Sequence, residues 1–174
     1  MDKIKRKFKE EEWEERRLAL GRDEKSNLAF MFMPLIFEGR SGGKSKGKSA
    51  TSDSIHSFID AQLVRCNVTE YLSRIDAVER PQPFIIILYS ESVLQPSQCF
   101  VVLERHALPQ PSLLKAVDLC YKVHFVMDLN YQVDCRAVWK FIEAIYQQPD
   151  VSPQKENSQV RQFRAYMFHH KEKK

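Results

Sequence analysis

From the amino terminus onward, the spacing of apolar positions changes several times, and each change predicts an element. Lys3 to Leu20 lacks Gly and Pro and is rich in helix formers, but its apolar residues Ile4, Phe8, Trp13, Leu18 and Leu20 are sparse. That pattern predicts a surface or solvent-bridging helix ending near Gly21, with the glycine as its C-terminal cap. Lys3, Lys5, Arg6, Lys7 and Lys9 sit where the helix dipole disfavours cations, so its first turn should fray. Ser26–Phe37 is apolar around Pro34 and predicts a short helix or strand packed on the core. Gly39–Ser54 is Gly/Ser/Lys-rich and cannot bury enough apolar surface to offset its ordering entropy, so we expect a flexible linker.

Beyond the linker, Thr51-Ser52-Asp53-Ser54 offers N-cap oxygens, and Ile55, Phe58, Ile59, Leu63 and Cys66 follow at helical spacing. Val68, Leu72 and Ile75 continue the pattern, which predicts one helix or two abutting ones over Ile55–Ile75, stopped by Pro81-Gln82-Pro83. Phe84–Tyr89 and Cys99–Glu104 read as strands, and the first is apolar throughout Phe84–Leu88, as a strand covered on both faces would be. Pro109-Gln110-Pro111-Ser112 should open a mostly buried helix from Leu113 to about Leu129, with Lys115, Asp118 and Lys122 as its wet stripe. After a turn at Asn130-Tyr131, Asp134 can cap a last helix, Asp134–Tyr146, buried through Val138, Phe141, Ile142 and Ile145. The polar tail beyond Pro153 retains Phe163, Tyr166, Met167 and Phe168 as residues that could dock.

These elements predict an α+β fold, a small β-sheet of two or more strands covered by three or more helices. The organisation is an N-terminal helix and apolar segment over 1–38, a linker over 39–54, the α+β domain over 55–148 and a basic, mostly disordered tail over 149–174. Strand edges would need cover, which Ala29–Phe37 could supply.

At 174 residues, with 43% hydrophobic and 29% charged residues, the chain has the composition of a globular domain with tails. No apolar run approaches the roughly 20 residues of a membrane span. Met1–Lys7 is charged with no apolar segment behind it, so no secretory signal is expected and the predicted location is intracellular, cytoplasmic or nuclear. Cys66, Cys99, Cys120 and Cys135 then read as free, mostly buried thiols, and Asn67-Val68-Thr69 as an unmodified glycosylation pattern.

The net charge of +4 is uneven. Residues 51–150 carry eight basic and twelve acidic groups, whereas 40–50 holds four cations and no acid, and 151–174 six cations and two acids. A dedicated nucleic-acid reader concentrates cations on the folded domain. Here any nucleic-acid affinity should be weak, non-specific and carried by linker and tail.

Gly39-Arg40-Ser41-Gly42-Gly43-Lys44-Ser45 looks like a phosphate-binding loop, but Glu38 stands where the first glycine is needed and no helix former follows Ser45. Linker is the better reading. Cys120 and His124 lie four apart on one helix face, a spacing that can seat zinc. Cys99, His106 and Cys135 have no matching ligand spacing, so a small buried thiol and a satisfied histidine are expected instead. Cys99, Cys120 and Cys135 lie in apolar stretches that disfavour thiolate, and Asp118 and Asp128 read as solvated positions rather than an acid/base pair. The Lys3, Lys5, Arg6, Lys7, Lys9 cluster has three readings: a solvated helix end first, a nuclear import signal second, then a contact for an anionic membrane or RNA.

Pro83–Leu88, Gln98–Glu104, Ala116–Lys122 and Asp128-Leu129-Asn130-Tyr131, taken in order, resemble the C-terminal module of uncharacterised animal proteins, mostly of aquatic vertebrates, described as sterile-alpha-motif-domain-containing-like. The resemblance covers about residues 55–148 and implies a strand pair, an Ala-Val-Asp helix, a Leu-Asn-Tyr turn and a last helix. It implies no catalytic residue. We therefore expect a non-catalytic protein-interaction or adaptor module, with no cofactor or metal and an unidentified protein partner, acting through an apolar groove or exposed edge. The alternatives are a nucleic-acid-associated protein using linker and tail, and a nucleotide-binding enzyme with a degenerate phosphate loop.

Overall fold

The computed structural model of the chain describes residues 18–37, 55–75, 80, 83–147, 161–163 and 165. Its architecture is α+β: a four-stranded mixed sheet with helices on both faces. The elements in chain order are α1 (Arg22–Phe37), β1 (Ile59–Leu63), α2 (Val68–Arg74), β2 (Phe84–Tyr89), β3 (Gln98–Leu103), β4 (His106–Gln110), α3 (Leu113–Val126), a 3₁₀ turn (Val133–Cys135) and α4 (Arg136–Gln147). Strand order follows chain order; β1 runs parallel to β2, and β2, β3 and β4 are antiparallel neighbours. Among the described residues no helix is long and apolar enough to cross a membrane.

β2 is the centre of the sheet, and its unbroken apolar sequence follows from being covered twice. Ile85 and Ile87, with Ile59, Cys99 and Val101, face the main core under α3 and α4. Phe84, Ile86 and Leu88 point the other way, onto Val102 and Leu72 beneath α2. With a side-chain period of two, only a strand buried on both faces needs apolar residues at every position.

The helix expected over Ile55–Ile75 is not one helix. Residues 55–58 form a single helical turn, β1 follows at once, and α2 begins after Asn67, whose side chain accepts from the Glu70 N–H at 3.2 Å. The apolar spacing fits a helix, but Ile59–Leu63 instead pairs residue for residue with Ile85–Tyr89. Pairing with the most buried strand outweighs a local preference.

Gly21 also has another role. It precedes α1, its carbonyl accepts the Lys25 N–H at 3.0 Å, and Glu24 Oε2 accepts the Gly21 N–H at 2.6 Å. Gly21 is thus an N-cap with a glutamate reaching back from the third helical position, while helical residues 18–19 end just before it as expected. That hydrogen bond, with a second from Gln95, holds the Glu24 carboxyl below its usual range. α1 carries Pro34 in its interior and packs on α4 and α3. Asn27 donates to the Leu94 carbonyl at 2.9 Å, tying α1 to the β2–β3 loop. Phe163 completes this layer edge-on to Phe37 and Phe141, at 5.6 and 5.2 Å between ring centroids.

Pro109 belongs to β4, not to the start of a helix; the N-cap of α3 is Ser112, which accepts the Lys115 N–H at 3.3 Å. α3 ends earlier than about Leu129. Asp128 takes φ 49°, Leu129 N–H donates to the His124 carbonyl at 2.9 Å and Asp128 N–H to the Phe125 carbonyl at 3.4 Å. This is a Schellman stop with aspartate where glycine is usual. Asp134 lies within the 3₁₀ turn that leads into α4, and that helix starts at Arg136 rather than at Asp134.

Candidate functional site

Lys3, Lys5, Arg6, Lys7 and Lys9 lie outside the described residues, as do Gly39–Ser45 and His169-His170. The remaining sequence candidates are inside the fold and are brought together only in part. Cys120 and His124 do share a buried face of α3, and His124 Nδ1 donates to the Cys120 carbonyl at 2.9 Å. That bond assigns the neutral ring its Nδ1–H tautomer and leaves Nε2 a buried acceptor with no hydrogen-bond partner among the described residues. Burial holds the His124 pKa below the usual imidazole range, although the carbonyl opposes the shift. No group of three or more potential metal ligands occurs among the described residues.

All four cysteines are free. Burial pushes the Cys99 thiol up to about 11, the Cys135 thiol up to about 12 and the Cys120 thiol well above its ordinary value. At neutral pH these are apolar fillers rather than nucleophiles. Asp118 sits on the wet stripe of α3. Burial raises its pKa, but hydrogen bonds from Lys122, at 2.8 Å, and from the Tyr146 hydroxyl bring it below the usual carboxylate range.

Sequence reasoning missed the densest polar cluster. Asp60 is fully buried on β1, on the α2 face of the sheet. Its carboxylate accepts from the Tyr71 hydroxyl at 2.6 Å and the Gln62 amide at 2.8 Å, and meets Arg80 Nη1 at 2.9 Å. His56 Nδ1 lies 3.4 Å from the same carboxylate, while His56 Nε2 is 2.9 Å from Arg80 Nη1. Arg80 also donates to the His56 carbonyl at 2.7 Å and stacks over Phe84, 4.1 Å from the ring centroid. Burial lowers the Arg80 pKa and raises that of Tyr71, whose hydrogen bond to Asp60 adds to the effect. A carboxylate with so many donors already in place has little capacity left for a substrate. The cluster clamps the turn before β1 and Arg80, on the approach to β2, to one buried charge. The signal available in the sequence is an aspartate set inside the otherwise apolar Phe58-Ile59-Asp60-Ala61.

The sheet edge at β4 is blunted. Glu104 and Arg105 have φ 49° and 64°, so the hairpin closes through a two-residue type I′ turn with Leu103 opposite His106 as the hydrogen-bonded pair. Alternation then makes Phe100–Pro109 a non-hydrogen-bonded pair, which turns the Pro109 nitrogen outward, where it has no hydrogen to offer. The Gln110 amide covers the adjacent Pro109 carbonyl at 2.7 Å. An incoming strand finds a poor template here.

The α3–α4 corner is different. Phe125, Val126 and Met127 are consecutive and 64%, 79% and 47% exposed, and Val133, on the same connection, is 76% exposed. Beside them lies a cleft of about 490 Å³ between the connection and α4, lined by His124, Phe125, Asp128, Tyr131, Arg136 and Lys140 among others. Lys140 is engaged with Glu143, at 2.7 Å, and with the Tyr131 ring. Asp128 and Arg136 are exposed and have no ion-pair partner among the described residues.

The chain matches no protein-family model, no curated protein and no solved structure.

Proposed function

We propose that this chain is a non-catalytic protein-interaction module that presents the α3–α4 corner to a protein partner. The observation that carries the reading is the run Phe125-Val126-Met127, three successive large apolar side chains about half to four-fifths exposed. Isolated exposed apolar residues are ordinary, but a contiguous set beside a cleft marks an interaction surface. Covering each of them returns roughly 1–2 kcal/mol of hydrophobic free energy. The blunted β4 edge disfavours strand addition at that edge. The Lys3–Lys9 cluster lies outside the described residues, as do the linker and most of the tail on which the nucleic-acid alternative rests.

The test is site-specific photo-cross-linking in cells expressing the full chain. A benzophenone side chain at position 125 should give a discrete cross-linked product, whereas the same group at Ser73, on α2 across the sheet, should not. Equal products from both positions, or none from position 125, would count against the corner.

A further inference from the structure

We infer that the partner at the α3–α4 corner is a second copy of this chain, docked across a two-fold axis with Phe125 of each copy seated in the cleft of the other. The inference rests on the corner being the interaction surface, as proposed above, and adds the identity of what covers it. A two-fold interface uses one patch twice, so that patch must be complementary to itself. The corner meets this requirement in shape and in charge. It carries an aromatic side chain, Phe125, at 64% exposure, on the wall of a cleft of about 490 Å³ that half-buried Tyr131 also lines. Tyr131 is held in place by packing on the buried His124 ring at 5.1 Å between centroids, so a phenyl ring entering the cleft meets a fixed aromatic residue.

The charges obey the same rule. Asp128 and Arg136 both line the cleft, both are exposed, and neither has an ion-pair partner among the described residues. One unused anion and one unused cation on a single patch pair twice across a two-fold axis, Asp128 of each copy with Arg136 of the other. A patch with charges of one sign would repel its own copy. Val126, Met127 and Val133 are exposed on the same stretch of chain and add apolar area to the corner. The patch is small by the standard of permanent dimers, so the dissociation constant should be on the order of 1–100 μM. The crossed pairs are exposed and should weaken as salt rises.

Sedimentation equilibrium of the purified full chain, from about 1 to 500 μM, tests this. A reversible monomer–dimer equilibrium is expected, and Phe125→Glu should shift it at least about tenfold toward monomer while the circular dichroism spectrum is unchanged. Val126→Glu serves as a second variant should Phe125→Glu disturb folding. Arg136→Asp and Asp128→Arg should each weaken the dimer, and the double variant, which restores opposite charges across the axis, should recover it. A monomer at every concentration, a dimer indifferent to Phe125→Glu and Val126→Glu, or a charge swap that fails to restore association would each overturn the inference. A monomeric chain that still cross-links through position 125 to a different protein overturns the second copy but leaves the interaction-module reading intact. Loss of both results overturns both.

Discussion

Arg80 and Asp60 meet at 2.9 Å in the interior of the domain, the carboxylate fully buried and the guanidinium side chain 11% exposed. Arg80 fixes the approach to β2, and Asp60 belongs to β1, so the pair joins the two parallel strands from outside their hydrogen-bond ladder. Removing one partner strands the other charge in a medium that solvates it poorly. Arg80→Met should destabilise the domain by about 3–5 kcal/mol, measured by urea denaturation. The double variant Asp60→Leu/Arg80→Met should recover most of that loss, because no bare charge remains. A small effect of Arg80→Met alone would show that the cluster is not a structural clamp.

The Glu104-Arg105 turn places two residues with Cβ atoms at positive φ. Left-handed backbone costs an ordinary residue about 1–2 kcal/mol, and asparagine followed by glycine is the favoured pair for this turn. Glu104→Asn/Arg105→Gly should therefore raise stability by about 1 kcal/mol or more, less whatever contact Arg105 gives up. A rise in the denaturation midpoint with an unchanged m-value would bear this out; a fall would mean that the native side chains contribute more than the backbone strain removes.

His124 makes stability depend on pH. Burial depresses its folded-state pKa, whereas in the unfolded chain it titrates near about 6.5. Below that value the unfolded state binds the proton more readily, so stability falls as pH drops through about 6.5 and continues to fall until the folded pKa is reached. The shifts at Asp118 and Glu24 act below the ordinary carboxylate range and do not enter this window. Denaturation at pH 5.5 and 7.5, wild type against His124→Gln, should show the difference shrinking in the variant. An equal slope in both would remove His124 as its source.

Cys66 is half-buried, while Cys99, Cys120 and Cys135 are buried with their thiols pushed up. A disulfide reagent at pH 8 should modify Cys66 promptly and the other three only as fast as the domain opens. Rapid modification of Cys120 in the native protein would contradict the buried face of α3.

The sequence alone determined the parts whose environment is uniform along the chain. Phe84–Leu88 announced a doubly covered strand because every position is apolar, and Leu113 onward announced a buried helix because its charged residues fall on one narrow stripe. Turn and cap chemistry was legible only where side chain and backbone conspire locally. Asn67 as an N-cap and Asp128 in a left-handed stop depend on exact chain reversals that composition does not encode.

What the tertiary structure decided was everything requiring a distant partner. Ile59–Leu63 becomes a strand because Ile85–Tyr89 lies beside it, a pairing energy that no local window contains. Asp60, Tyr71 and Arg80 are widely spaced in sequence and become one cluster only when β1, α2 and the approach to β2 converge. The exposed corner was equally hidden, since Phe125, Val126 and Met127 look like core in a helix that is otherwise buried. They face water because the Schellman stop turns the chain away one residue after Met127, and burial is a property of that geometry rather than of the residues themselves.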